Sequence, residues 1–193
     1  MSTASIYQVC EMMEREGFRY GSMIGPDAFK RLEGASAKLK ESWRKPEDAM
    51  YFSLIDESWQ SLDSTSEMDV VLKTLQWHDW LVGQDWGVKD YSKKGLLFAK
   101  FDESRFISNS NPRFAKGKDF HVSRGIMSQP NWEKVGMEYN GIHVDPCIRG
   151  DERIFDAWDV DTVCIFRADV VTEVRWFENS GEDWMYDVLD VNF

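Results

Sequence analysis

Short runs of apolar residues, several of them alternating with polar ones, are separated along the chain by turn-forming residues. Such runs predict β-strands, because alternate side chains of a strand point to opposite faces of a sheet. The predicted strands cover residues 18–25, 50–55, 96–101, 105–108, 141–144, 162–166, 170–177 and 185–193. We interpret the polar stretch 109–125, the most basic part of the chain, as a loop.

Apolar residues suggest helices in four segments, at residues 5–17, 26–43, 66–83 and 131–138. Ser5 is a suitable N-cap for the first of these helices, and Gly17 suits its end. Helices are thus concentrated early in the chain and strands late. This order predicts one α+β domain over residues 1–193, with N-terminal and central helices and a sheet rich in antiparallel pairs.

Composition and charge narrow the class of protein. The 193 residues include 34 acidic and 23 basic side chains, and the net charge of −11 argues against non-specific binding to nucleic acid. The apolar runs are too short to span a membrane, and the first residues lack the features of a signal peptide. Three widely separated cysteines favour neither a disulfide framework nor a zinc site, so we expect a cytoplasmic protein without membrane contact.

Two groups of polar residues are candidates for chemistry. His143 and Asp145 alternate on a predicted strand and, with Cys147, can form half of a metal site, an acid–base pair, or a plain turn at the strand end. The aspartates at positions 156, 159 and 161 precede another predicted strand and can bind a cation, but aspartates are also common in turns. We prefer the turn interpretation for both groups, and we predict no bound metal ion.

The tryptophans of the predicted helix 66–83 offer a further alternative. Trp77 and Trp80 lie three residues apart on that helix, where a cofactor can stack on them or where they can pack against a sheet. We prefer packing. The chain contains no glycine-rich phosphate-binding motif and no nucleophile motif of the GxSxG type.

Four segments follow one another in a familiar order. They are Phe-Arg-Tyr-Gly-Ser at 18–22, Met-Tyr-Phe-Ser at 50–53, the stretch 132–144 that ends in Tyr-Asn-Gly-Ile-His-Val, and the stretch 161–171. Together they resemble the first strand, the next strand, the late helix with its Tyr-Asp-Gly-Ile stretch, and the closing strand of ADP-ribosyltransferase-like proteins of phages and bacteria. The short motifs extend over most of the chain.

The resemblance implies a split α+β fold that binds NAD⁺ in a cleft between two small sheets. It implies that Arg19 or Tyr20 contacts a ribose of the cofactor and that Ser53 supports the first strand. Gly21 belongs to the same cofactor-binding motif, in which Tyr20 replaces the histidine that is usual in the family.

The resemblance also implies where catalysis takes place. The family's catalytic glutamate corresponds in position to His143 or Asp145 of this chain. An acid is needed there because positive charge develops on the ribose carbon in the transition state. The implied activity is the transfer of ADP-ribose from NAD⁺ to a macromolecule of the host.

Two other functions compete with this one. One alternative is an acidic, non-enzymatic protein of phage origin that inhibits a host protein through exposed aromatic anchors, and imitation of DNA is one version of that idea. A metal-dependent hydrolase or nuclease would need Asp145 and the aspartates of 156–161 to converge on one cation. In each case the partner or target is expected to be another macromolecule.

Overall fold

The computed structural model describes residues 2–22, 45–46, 49–55, 96–145, 147–148, 154–155, 158, 161–179 and 184–187. The described part contains both helices and sheets, which confirms the predicted α+β class. The chain groups into two compact units, Met1–Ala28 with Phe52–Phe101 and Val171–Phe193 in the first, and Phe29–Tyr51 with Asp102–Val170 in the second. The predicted helices 26–43 and 66–83 lie outside the described residues.

The described strands are numbered in chain order. They are β1 (Ser2–Ala4), β2 (Tyr20–Ser22), β3 (Met50–Leu54), β4 (Leu96–Phe101), β5 (Phe106–Ser108), β6 (His121–Arg124), β7 (Met127–Pro130), β8 (Gly141–Val144), β9 (Thr162–Ile165), β10 (Val171–Asn179) and β11 (Trp184–Asp187). The predicted strands at 50–55, 96–101, 141–144 and 162–166 are therefore confirmed to within one residue at each end.

Helix α1 (Ile6–Arg15) shows how local signals set an element. The Ser5 hydroxyl accepts the backbone N–H of Gln8, and the Gln8 side chain accepts the N–H of Ser5 at 2.8 Å, so the two residues form a capping box. Gly17 has a φ of +78°, a conformation that glycine adopts at little cost and that ends the helix. The buried side chains of this helix are Val9, Cys10 and Met13.

The sheet of the first unit is antiparallel throughout its described pairs. Its strands follow the order β1, β11, β10, β4, β2 and β3. In the β2–β3 pair, Tyr20 lies opposite Leu54 and Gly21 lies opposite Ser53. The ring of Phe101 stacks on Tyr20 at a centroid distance of 5.1 Å and meets Phe52 edge-on at 4.9 Å, so aromatic packing fixes the start of β2.

The second unit is built around β8, which pairs with β9 in the antiparallel sense and with β5 in the parallel sense. Helix α2 (Trp132–Glu138), predicted at 131–138, begins where the Asn131 side chain accepts the N–H of Lys134. Strand and helix residues meet in one buried, largely aromatic cluster. Its members are Ile107, Phe114, Phe120, Trp132, Val135, Ile142, Val144, Ile154, Phe155, Trp158, Cys164 and Phe166.

The prediction of a loop over residues 109–125 is wrong at its end, where His121–Arg124 form strand β6. Residues of β6 pair with β7, from His121 opposite Pro130 to Arg124 opposite Met127, and form a separate two-stranded hairpin. Its turn holds Gly125 at a φ of +63°, followed by Ile126, whose side chain is fully exposed. The polar composition of this stretch concealed the strand, because strand formation here depends on the pairing of β6 with β7.

None of the described helices has the length and the apolar composition needed to cross a membrane. All three cysteines lie in the described part, and none of them forms a disulfide bond. Cys10 and Cys164 are buried, whereas Cys147 is exposed. Burial raises the pKa of the Cys164 thiol far above its usual value.

Neighbouring atoms lie so close to Gly141 that even the smallest side chain should destabilise the fold. A Cβ at this position would lie 2.9 Å from the backbone carbonyl oxygen of Cys164 and 2.9 Å from the Phe106 ring. We expect Gly141→Ala to lower the free energy of unfolding by about 1–3 kcal/mol, because β9 or the ring must move. Chemical denaturation measures this, with the exposed Lys116→Ala as a control expected to stay within about 0.5 kcal/mol of wild type. Equal stability of the two variants would contradict the prediction.

Candidate functional site

The side chain of His143 is placed by the alternation of β8. Ile142 and Val144 are fully buried in the aromatic cluster of the second unit, so His143 between them points to the opposite face. Its neighbours across the sheet are Ser108 of β5 and Val163 of β9. The imidazole therefore lies on the face of β8 away from that cluster, and its side chain is 41% exposed.

Asp161 completes a pair with this histidine. The residue directly precedes β9, and the register that sets Thr162 opposite Val144 brings its carboxylate beside β8. Nε2 of His143 donates a hydrogen bond of 2.5 Å to Oδ1 of Asp161. The interpretation of Asp161 as a turn former thus misses its main contact, which is made with a residue 18 positions earlier in the chain.

Three carboxylates influence the charge of His143. The hydrogen bond to Asp161 is the largest cause of a raised pKa for the imidazole, and partial burial opposes it. The negative charges of Asp161, Asp145 and Glu103 raise the pKa further. His143 therefore keeps its second proton to a higher pH than an ordinary histidine, whose pKa is 6.5.

Asp145 is held in a turn by Asn109, which follows β5 and is only 7% exposed. The Asn109 amide donates to the carbonyl oxygens of Asp145 and Ile148, both at 2.9 Å, and its oxygen accepts the N–H of Asp145 at 3.2 Å. The Asp145 carboxylate in turn accepts the N–H of Cys147 at 2.8 Å. These bonds fix the chain directly after β8 and keep one carboxylate oxygen of Asp145 at that strand end.

The residues at the end of β8 can perform proton transfer. A half-exposed imidazole paired with one carboxylate and close to others is a suitable general acid or base. Among the described residues, no three histidine, cysteine or acidic side chains are placed to hold a metal ion. Asp156 and Asp159, which the metal hypothesis also needs, lie outside the described residues. Trp77 and Trp80 lie outside them as well.

The predicted cofactor residues lie together in the first unit, with Tyr20 and Gly21 on β2, Ser53 on β3 and Arg19 directly before β2. Arg19 is exposed, its carbonyl oxygen accepts the N–H of Ile55, and its guanidinium lies 5.6 Å from the centre of the Tyr20 ring. Tyr20 is only 4% exposed, so its ring belongs to the packing of the sheet. Gly21 and Ser53 are buried and directly opposite each other.

The predicted site residues therefore fall into two groups. Arg19, Tyr20, Gly21 and Ser53 share one pair of strands, whereas His143 and Asp145 belong to the second unit. Ser22 adds a buried hydroxyl to the first group, and within the described structure that hydroxyl has no hydrogen-bond partner. Asn109, which sequence analysis did not single out, and Asp161, which it considered only as a cation ligand or a turn residue, add to the second.

No protein-family model, curated protein or solved structure matches the chain. The likeness to ADP-ribosyltransferase-like proteins therefore rests on the four short segments quoted from the sequence. The geometry of the β2–β3 pair and of the end of β8 comes from the structure alone.

The His143–Asp161 pair predicts a pH-dependent stability. Because the folded state raises the pKa of His143, the stabilisation is complete below the unfolded-state value near 6.5 and is lost as pH rises through the folded value. We expect the loss of unfolding free energy in Asp161→Asn to be larger at pH 6 than at pH 9. Denaturation of wild type and variant at both pH values measures it.

Asp169→Asn provides the matched control for this comparison. Asp169 pairs with Arg167, which stays charged over the whole range, so its substitution has the same cost at both pH values. An equally constant cost for Asp161→Asn would contradict the pH dependence.

Proposed function

We propose that the chain binds NAD⁺ and transfers its ADP-ribose to an acceptor on another macromolecule. The observation that carries the proposal is the pairing of β2 with β3. The two segments that resemble the family's first two strands are distant in sequence, yet Gly21 of one lies directly opposite Ser53 of the other. Ser53 therefore lies beside β2, which fits the supporting role that the resemblance implies for it.

The side chains of this strand pair suit a dinucleotide. Arg19 presents an exposed guanidinium, which can form charge-assisted bonds to a diphosphate. The ring of Tyr20 contacts the guanidinium of Arg19 and helps to hold it in place. In this proposal Arg19 binds the cofactor, and Tyr20 keeps it in position.

The residues proposed for catalysis are His143 and Asp145. Asp145 of the second unit supplies a carboxylate that accepts the backbone N–H of Cys147, and the resemblance assigns the catalytic acid to this residue or to His143. His143 supplies an imidazole held by Asp161. The proposal places the protein in the cytoplasm, where NAD⁺ is abundant and thiols such as those of its cysteines stay reduced.

Binding of NAD⁺ tests the proposal directly. We expect titration calorimetry to show saturable binding by the wild type and at least about tenfold weaker binding by Arg19→Ala, because a charge-assisted contact is lost. Arg15→Ala removes another exposed arginine of the same unit, at the end of α1, and is expected to bind as the wild type does. No binding at millimolar NAD⁺, or equal binding by both variants, would contradict the proposal.

A non-enzymatic interaction protein is the second candidate, and the hairpin favours it. Ile126 at the hairpin tip is fully exposed, and the neighbouring Met127 is partly exposed. The turn itself does not require a large apolar residue after Gly125. An exposed apolar tip on a hairpin suits insertion into a partner.

The described carboxylates give less support to the hypothesis that this interaction protein imitates DNA. Three pairs place an acid beside a base, namely Glu173 with Lys100 at 2.7 Å, Glu138 with Arg113, and Asp169 with Arg167. DNA imitation requires rows of unpaired negative charge in place of such mixed pairs.

Substitution of the hairpin tip tests the second candidate. Ile126→Ser removes exposed apolar area only, so we expect its thermal stability to equal that of the wild type. If the hairpin binds a partner, affinity capture from a bacterial lysate will recover a protein with the wild type that is lost with Ile126→Ser. Lys116→Ala, which alters the exposed basic loop before the hairpin, should retain that protein. Identical capture by all three proteins would contradict a role for the tip.

A further inference from the structure

Exposed apolar side chains are concentrated in the second unit. Among the described residues, the large apolar side chains that are exposed are Ile126, Met127, Met137 and Ile148, and all four belong to that unit. Ile126 and Met127 lie at the tip of the hairpin, whereas Ile148 lies in the turn after β8. Exposed apolar area of this kind marks surfaces that bind other molecules.

The hairpin presents its tip on a fixed base. Exposure rises along it from Pro130, which is buried, to Ile126, which is fully exposed. At the base, the N–H of Phe120 donates to the carbonyl oxygen of Arg113 at 2.8 Å, and the N–H of Asn131 donates to that of Phe120 at 2.7 Å. A tip held in this way loses little conformational freedom when it binds a partner.

The hairpin belongs to a basic segment of an acidic chain. Residues 112–130 contain four basic residues and one acidic residue, a net charge of +3, whereas the whole chain carries −11. One of the four, Arg124, is the last residue of β6 and precedes the tip in the chain. Lys116 and Lys118, in the loop before the hairpin, are exposed. An acidic surface with an apolar centre is therefore the complement of this segment.

The turn after β8 has these complementary properties. Ile148 is 41% exposed, and its N–H donates to the carbonyl oxygen of Asp145 at 3.1 Å. The carboxylates of Asp161, Asp145 and Glu103 lie close to this strand end, where all three raise the pKa of His143, Asp161 foremost through its hydrogen bond. An apolar side chain thus lies near several negative charges.

Both complementary surfaces are present in the same unit, which favours a second copy of the chain as the partner. We propose that the hairpin tip of one copy docks on the Ile148 turn of another, with Ile126 against Ile148 and the basic segment facing the carboxylates. Two copies related by a two-fold axis make this contact twice and form a closed dimer. The inference does not require the transfer of ADP-ribose. It rests on the second candidate function only in using the hairpin tip as a contact surface, and it names the partner.

Sedimentation velocity of the full chain between about 1 and 500 μM tests the apolar contact. We expect the wild type to change from monomer to dimer as its concentration rises. Ile126→Ser and Ile148→Ser should each raise the dissociation constant of the dimer by at least about tenfold, because an apolar contact is lost twice per dimer. Met137→Ser removes an exposed apolar side chain on α2 and is expected to dimerise as the wild type does. Thermal melting confirms that each variant is folded.

Exchange of charges tests the orientation. Arg124→Glu and Glu103→Lys each place like charges across both contacts of the dimer, so we expect either variant alone to remain monomeric. In a mixed pair, the glutamate at 124 faces the lysine at 103, and the native arginine faces the native glutamate. An equimolar mixture should therefore form heterodimers, which native mass spectrometry identifies. Two folded variants that do not associate when mixed would overturn the proposed docking.

The remaining outcomes separate this inference from the second candidate function. Wild type that stays monomeric over the whole concentration range would overturn the dimer. If that monomer still captures a lysate protein through Ile126, the second candidate function stands and only the partner proposed here is wrong. A dimer that persists unchanged in both Ile126→Ser and Ile148→Ser would place the contact elsewhere on the chain and would equally overturn the inference.

Discussion

The second unit depends on the pairing of β8 with a strand on each side. Gly141 allows the carbonyl group of Cys164 and the Phe106 ring to approach to a distance that no side chain would permit. With both neighbours fixed, β8 cannot slip by one residue without turning Ile142 and Val144 out of the core. His143 must therefore face the other way. The position of the candidate base is thus a consequence of core packing.

Elements with strong local signals could be predicted from the sequence. The capping box of Ser5 and Gln8, the glycine that ends α1 and the apolar run of β4 each lie within a few residues, so the sequence alone specifies them. The hairpin of β6 and β7 could not be predicted in this way. Its residues are mostly polar, and they form strands only through their pairing with each other across the turn at Gly125 and Ile126.

The candidate site was also predictable only in part, because some of its contacts depend on how strands pair. His143 and Asp145 were found because they alternate on one strand, which is a local pattern. Asp161 was interpreted as a turn residue, since its partner is reached only through the register of β8 with β9. Likewise, the sequence suggested two cofactor strands, but it could not show that Gly21 faces Ser53. Pairing between distant segments is the information that a local pattern lacks.

The exposure of the three thiols has a practical consequence for work on this protein. Cys10 and Cys164 are buried, and burial raises the pKa of the Cys164 thiol, which further protects it from reaction. Cys147 alone is exposed, and it lies in the turn that Asn109 and Asp145 hold. A maleimide fluorophore would attach there in the native chain without prior mutagenesis. Its emission would then report on ligands arriving at the end of β8.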